Sequence, residues 1–232
     1  VTSTSRGIME KYNVQNIKEE LQRWDNGKYY GQWETDRVIE EYFPAGHIGL
    51  CVEVGAANGV KGSNTLYFEE REWDVLCIEP NPEHKISLEK YRKWIRYFAC
   101  GDKPGTFPLT VYKVGEKNIS SSLTSLRPDN RLVEAHKDII NDSYHILQKE
   151  TEDTPFMNQK EIDFISIDTE GTELDVLKGF DFDEYRVKLF VIENNYEDTN
   201  IEDYMRSKGY LKRQRYKINE FYTPTKERTQ YI

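Results

Sequence analysis

Short apolar runs alternate along the chain with amphipathic stretches. Residues 48–54 are almost wholly apolar, 75–78 form a second run, and 95–100 a third, more polar one. Two more lie at 164–167 and 189–192. Short β-branched runs like these predict strands buried on both faces of a parallel sheet. Between them, 64–71, 82–94, 173–179 and 201–208 carry helical patterning. Strand alternating with helix predicts a doubly wound α/β sheet.

Ahead of the first strand, Ile17, Leu21 and Trp24 recur at helical spacing and stop near Gly27. A second helix is predicted over 34–42, closed by Pro44 and Gly46. Residues 1–45 thus read as an N-terminal helical segment and 46–232 as the main domain. Two places break the alternation. Residues 107–114 read as an extra strand, and 117–154 as a long polar insertion, partly helical over 132–146. Insertions of this length often form lids or binding loops. The tail, 210–223, reads as two strands turning near Asn219, which suits an antiparallel edge on a mostly parallel sheet.

Composition narrows the partners. The chain has 232 residues, enough for one α/β domain. With 32 basic against 41 acidic residues its net charge is −9, which argues against nucleic acid. The local basic cluster Lys212, Arg213, Arg215 and Lys217 reads as a solvated strand face. The cysteines, Cys51, Cys77 and Cys100, form no C-x-x-C pair, and each sits in an apolar run as a small hydrophobe. An odd count without a secretory signal fits a reducing cytoplasm. No run reaches the ~18 apolar residues of a membrane span. The first residue is Val, which also admits a domain cut from a longer polypeptide.

The acids fall in a telling pattern. Glu53 sits near the end of the first predicted strand, Glu79 ends the second, and Asp102 follows the third. Asp168 ends the fourth and Glu193 the fifth. In open α/β sheets ligands bind outside the carboxyl ends of the strands, at the switch point. A buried carboxylate needs a partner, and a cationic ligand or a metal would supply one. The loop Gly55-Ala56-Ala57-Asn58-Gly59-Val60-Lys61-Gly62 follows a strand and precedes a helix, the context of a nucleotide-type cofactor. Its G-x-x-x-G-x-x-G spacing departs from the dinucleotide fingerprint, which counts against NAD. Glu79 lies where a second-strand acid binds ribose hydroxyls. A ribose without phosphates, beside acids suited to an ammonium and a sulfonium, describes S-adenosylmethionine.

The residues Val52-Glu53-Val54-Gly55-Ala56-Ala57-Asn58-Gly59, Ser63-Asn64-Thr65 and Ile78-Glu79-Pro80-Asn81-Pro82 resemble the first half of the FkbM family of methyltransferases. Asp163-Phe164-Ile165-Ser166-Ile167-Asp168-Thr169-Glu170-Gly171-Thr172-Glu173-Leu174, with Leu177-Lys178-Gly179, resembles its second signature. Val191-Ile192-Glu193-Asn194-Asn195 and Gly209-Tyr210 continue the likeness, and Gly31-Gln32 resembles the family's entry segment. The similarity runs over about 31–224 without the insertion. The family usually has Asp where Asn58 stands and often Val where Thr169 stands.

The resemblance implies a class I methyltransferase (Rossmann-like) fold with a seven-stranded sheet, S-adenosylmethionine as donor and O-methylation as the reaction. Family acceptors are sugars, glycan residues or polyketide-type natural products. A sugar or glycan hydroxyl, on a deoxyhexose such as rhamnose, is therefore the leading expectation. The same resemblance would make any longer parent chain a larger glycan-assembly polypeptide. A small-molecule natural-product O-methyltransferase and a non-catalytic nucleotide-binding module are the alternatives.

Carried onto this chain, Glu53 and Gly55 would hold the amino-acid end of the cofactor, Glu79 the ribose, and Gly101 or Asp102 the adenine. Ala56, Asn58, Gly59, Ser63, Asn64, Pro80 and Asp168 complete the expected cofactor contacts. Asp168 is the leading catalytic candidate, with Glu170 and Glu193 beside it, while Glu173 reads as a helix N-terminal acid. Asp168, Glu193 and Asn194 offer the hard oxygens that Mg²⁺ or Mn²⁺ prefers. His47 and His84 read as surface residues, and His136 and His145 as approachable bases in the insertion.

Overall fold

The computed structural model describes residues 28–114, 119–125, 140–149 and 159–229. A 3-10 turn, Gln32–Glu34, leads into α1 (Thr35–Glu40), then β1 (Leu50–Val54), α2 (Leu66–Glu69) and β2 (Asp74–Ile78). A second 3-10 turn, Pro82–His84, opens α3 (Lys85–Tyr91), followed by β3 (Trp94–Arg96), β4 (Thr106–Val114), β5 (Ile119–Ser125) and β6 (Ile140–Lys149). Then come β7 (Glu161–Ile167), α4 (Glu173–Gly179), β8 (Arg186–Glu193) and α5 (Thr199–Ser207). The chain ends with β9 (Tyr210–Tyr216), β10 (Asn219–Pro224) and α6 (Lys226–Thr229).

The main sheet has seven strands in the order β3-β2-β1-β7-β8-β10-β9. β3, β2, β1, β7 and β8 pair in parallel. β10 runs antiparallel to both β8 and β9, so the antiparallel pairing sits at that edge. The chain steps outward from β1 to β3 and resumes at β7 on the other side of β1. The switch point therefore lies between the carboxyl ends of β1 and β7, where Asp168 N donates to Val54 O at 3.0 Å.

Strand alternation splits the core in two. Val52, Val54, Ile165, Ile167, Phe190 and Ile192 point to the face covered by α4 and α5 through Val176, Leu177, Ile201 and Met205. Cys51, Val75, Cys77, Phe164, Leu189 and Val191 point to the face covered by Val38 and Ile39 of α1, Tyr67 and Phe68 of α2 and Leu88 of α3. Burial on both sides is why these strands read as unbroken apolar runs. Cys51 and Cys77 are free and buried, as their setting predicted.

The structure departs from the predicted elements in three places. The strand over 95–100 is confined to Trp94–Arg96. The helix over 82–94 stops at Tyr91, because Arg92 turns to extended backbone and inserts its side chain into the interior. The helix over 132–146 is contradicted for 140–146, which belong to β6, while 126–139 lie outside the described residues. There β4 pairs along its whole length with β6 and also with β5, forming a separate antiparallel sheet in the order β5-β4-β6. Pairing with a long partner strand overrides the local helical spacing. The predicted helix near Ile17 to Trp24 and His136 lie outside the described residues, and His145 falls on β6.

Candidate active site

At the end of β1 the main chain must pass within contact of the β7 end. Gly55 has φ +85°, and a Cβ there would stand 1.7 Å from Asp168 O, so only glycine fits. Gly55 N and Ala56 N both donate to Ile78 O, at 2.9 and 3.2 Å, tying the loop to β2. Asn58 Oδ1 accepts from Val60 N and Lys61 N, each at 2.9 Å, so its side chain shapes the turn. Ser87 Oγ on α3 donates to Asn58 O at 2.7 Å.

Glu79 closes the other side of this loop. One carboxylate oxygen accepts from Ala57 N and the other from Asn81 N, both at 2.7 Å. Burial pushes its pKa up to about 7, against the lowering effect of those two N–H groups. Pro80 beside it is half-buried. Gly101 is held against the end of α4, since a Cβ on Gly179 would meet Gly101 O at 1.8 Å, and Asp102 beyond it is exposed.

Glu53 has a different task from the one its position suggested. Its carboxylate accepts from Asn64 N at 2.7 Å, Ser63 Oγ at 2.8 Å, Thr65 Oγ1 at 2.7 Å and Arg92 Nη1 at 3.2 Å. The buried carboxylate does have a cationic partner within the protein, Arg92. Arg92 also donates to Gly59 O at 2.9 Å, Ser63 Oγ at 3.0 Å and Thr65 Oγ1 at 2.7 Å, and pairs with Glu69. Ser63 and Asn64 are bound up in the same network; Asn64 Nδ2 reaches Ser166 Oγ at 3.0 Å. Glu53, Ser63 and Asn64 therefore brace the glycine loop from beneath. Arg92 gave no sequence signal beyond the need of Glu53 for a partner.

A second set of acids gathers at the ends of β7 and β8. Asp168, Glu173 and Glu193 each bring one oxygen within 4.8 Å of the others. Glu170 stands beside them on a left-handed backbone (φ 54°) next to Gly171 (φ 102°). Burial first, and then repulsion from the neighbouring carboxylates, raises the pKa values of Glu170 and Glu193 well above the usual range. Burial raises that of Asp168 too, and that of Glu173 in spite of N–H groups at Gly171 and Thr169. Glu173 Oε1 accepts from Thr169 N at 2.9 Å and Gly171 N at 3.0 Å, which fixes the loop after β7. None of the four acids forms an ion pair with a described residue.

Asn194 follows Glu193 and lines the cavity beside this set. Its amide is spent on the main chain of Asp198, donating to Asp198 O at 3.0 Å and accepting from Asp198 N at 2.9 Å. Glu173, expected as a helix N-terminal acid, is the third carboxylate of the cluster. The adjoining cavity, about 200 Å³, is lined by Glu170, Glu193, Asn195, Tyr196 and Asn200 among others. His84, read as a surface residue, is buried at the start of α3, and burial lowers its pKa to about 4. Of the basic cluster, Lys212, Arg213 and Lys217 are exposed as expected while Arg215 is half-buried, and Lys212 and Arg215 both pair with the buried Glu220 at 3.3 Å.

Among solved structures, the chain is similar to a methyltransferase FkbM from Methylobacillus flagellatus KT, at 17% identity and a TM-score of 0.41, covering 78% of this chain and 46% of that one. The chain thus spans under half the length of that protein. It is also similar to a precorrin-6y C5,15-methyltransferase from Geobacter metallireducens GS-15, at 13% identity and a TM-score of 0.41, covering 85% and 88% of the two chains. The METTL16 MTase domain is a third, at 10% identity and a TM-score of 0.43, covering 82% and 65%. No curated protein matches the chain. Residues 53–212 match the methyltransferase FkbM domain, a stretch holding the glycine loop, Glu79 and the whole acid cluster, and the chain belongs to the FkbM methyltransferase family.

Proposed function

We propose that the chain is an S-adenosylmethionine-dependent O-methyltransferase acting on a sugar or glycan hydroxyl, with a deoxyhexose such as rhamnose the first class to test. The carrying observation is the acid group at the switch point, buried Glu173 and Glu193 beside half-buried Asp168 and Glu170, with no described cation balancing it. A cofactor bearing a sulfonium and an ammonium would complete such a site electrostatically.

Glu79 suits the ribose. Each of its oxygens accepts one N–H and keeps a lone pair for a ribose hydroxyl. The main chain of Gly55, Ala56 and Asn58 would border the cofactor, with Pro80, Gly101 and Asp102 on the adenine side. When bound, S-adenosylmethionine supplies a methyl group on a positively charged sulfur. The residues of this chain align the acceptor hydroxyl against that carbon. Asp168 and Glu193 would take the hydroxyl proton as the oxygen–carbon bond forms and the carbon–sulfur bond breaks. Glu170 would hold the acceptor beside them. Asp168, Glu173 and Glu193 also suit Mg²⁺ or Mn²⁺, which would supply charge stabilisation to a departing proton's oxygen.

The polar lining of the cavity favours a polyhydroxylated acceptor over an apolar natural product. Its volume of about 200 Å³ is smaller than the roughly 300–1,000 Å³ of drug-sized sites, which suits a single ring. The test is transfer of labelled methyl from S-adenosylmethionine to a panel of deoxyhexosides, beside calorimetry with S-adenosylhomocysteine and NAD. Binding of NAD and not of S-adenosylhomocysteine would sink the reading.

A pH dependence follows from Glu79. Its carboxylate must be ionised to accept both ribose hydroxyls, yet in the free protein its pKa lies at about 7. Affinity for S-adenosylhomocysteine is expected to rise about tenfold per pH unit up to pH ~7 and then flatten, with about one proton released below that pH. In the free protein the sign is opposite, because a raised carboxylate pKa gives stability that is full below about 4.5 and lost as pH rises through about 7. Calorimetry in buffers of different ionisation enthalpy reads the proton directly, and Glu79→Gln should remove both the release and the slope.

A further inference from the structure

Ahead of α1 the backbone is forced into an unfavourable shape. Trp33 (φ 55°, ψ 27°) and Glu34 (φ 59°, ψ 40°) are consecutive and both left-handed. Side chains rarely adopt that region, and two in a row persist only where the surroundings impose it.

Here the surroundings do so from every side. Gly31 bridges to Gly62 of the glycine loop, and Gly62 N donates to Tyr30 O at 3.0 Å. Tyr30 N donates to the buried Asp36 carboxylate at 2.7 Å. Thr35 Oγ1 donates to Gln32 O at 2.7 Å, and Tyr216 OH to Trp33 O at 2.9 Å. Arg37 pairs with the Glu34 carboxylate at 3.3 Å.

The outcome of this bracing is an indole left 41% exposed. It makes no hydrogen bond or ring contact with a described residue, whereas Trp73 Nε1 donates to His47 O at 2.9 Å. Its location is the carboxyl edge of the sheet. Thr35 Oγ1 accepts from Asn219 Nδ2 at 3.3 Å, and Asn219 stands opposite Glu193 in the β8–β10 ladder. Tyr216, which holds Trp33 O, pairs with the same Asn219. One side of the strap thus grips the glycine loop and the other grips the strand beside Glu193.

We propose that Trp33 is the stacking wall of the acceptor site, its indole packing on the apolar face of a pyranose whose hydroxyl is directed to Asp168 and Glu193. This rests on the carbohydrate reading above. A flat aromatic face on one side and carboxylates and amides on the other match the two kinds of surface that a sugar ring presents. The strain is accounted for as well, since the left-handed backbone keeps the indole exposed and out of the core.

The test uses the full chain saturated with S-adenosylhomocysteine and titrated with the methyl glycosides of rhamnose, fucose and glucose, with catechol as a planar control. The wild type should bind at least one glycoside. Trp33→Ala should bind that glycoside at least tenfold more weakly, and Trp33→Phe within about threefold. S-adenosylhomocysteine affinity should stay within twofold in both. Trp33→Gly, which relieves the left-handed strain, should not lower the melting temperature yet should lose the glycoside. Unchanged glycoside binding by Trp33→Ala overturns the proposal, as does a parallel loss of S-adenosylhomocysteine affinity. If the wild type binds catechol and no glycoside, or no probe at all, the carbohydrate reading falls and this inference with it.

Discussion

Arg92→Met is expected to lower the free energy of unfolding by about 3–5 kcal/mol. The guanidinium side chain is wholly buried, and so, nearly, are the two carboxylates it serves, Glu53 and Glu69. Removing it leaves both acids in the interior without their cation, and it also leaves Gly59 O, Ser63 Oγ and Thr65 Oγ1 short of a donor. Gly59 belongs to the same arrangement. With φ +78°, a Cβ there would press to 2.8 Å on Arg92 Cγ, so the loop is shaped to the arginine as well as held by it. Removing both charges is gentler than removing one. The pair Glu53→Gln with Arg92→Met should recover about 1–3 kcal/mol relative to the sum of the single changes. Urea unfolding of the four proteins closes the cycle. A loss under about 1 kcal/mol for Arg92→Met would mean that the network contributes little.

That network marks where the sequence stopped being readable. The fold was legible because both faces of β1, β2, β7 and β8 are buried, so runs such as Val75–Ile78 and Leu189–Ile192 have no polar alternation to confuse them. The ends of those strands were legible for the same reason, and Glu79, Asp168 and Glu193 do meet along one edge of the sheet. Glu53 looked alike by position but points to the other side of the strand from Val52 and Val54, toward α3, where Arg92 waits. Depth separates it from the others: Glu53 lies inside β1, level with Cys77 and Ser166, whereas Glu79 and Asp168 stand on the same side just beyond the ends of β2 and β7. The identity of the partner depends on a helix ending 39 residues later, which no local pattern encodes. The contacts of Asn194 and Glu173 escaped the sequence for a related reason. An amide beside a loop can satisfy that loop's own main chain, as Asn194 does with Asp198, and a helix N-terminal acid such as Glu173 can be drawn into a cluster by the turn before it. In the insertion, helical spacing gave way to pairing between strands that are distant in sequence.

Asp168→Asn is expected to reduce methyl transfer by about 10²–10⁴-fold, the range for loss of a positioned general base. The change keeps the size of the side chain and removes its ability to accept a proton. It also removes one negative charge from a crowded set, so the remaining acids should ionise more readily and the fold should hold or gain stability. The two effects separate a catalytic role from a structural one: activity falls while the melting temperature does not. Binding of S-adenosylhomocysteine should weaken far less than in Glu79→Ala, because on the proposed reading Glu79 and the glycine loop would still hold the nucleoside. Metal dependence is read in the same assay. If Asp168, Glu173 and Glu193 hold a divalent ion, EDTA abolishes wild-type turnover, Mg²⁺ or Mn²⁺ restores it, and Asp168→Asn cannot be rescued. If turnover survives EDTA, the acids act on the acceptor hydroxyl directly, and the rate should climb with pH as the cluster gives up its shared protons. Near-normal turnover by Asp168→Asn would remove it from the chemistry altogether and leave Glu193, across the β7–β8 boundary, as the base.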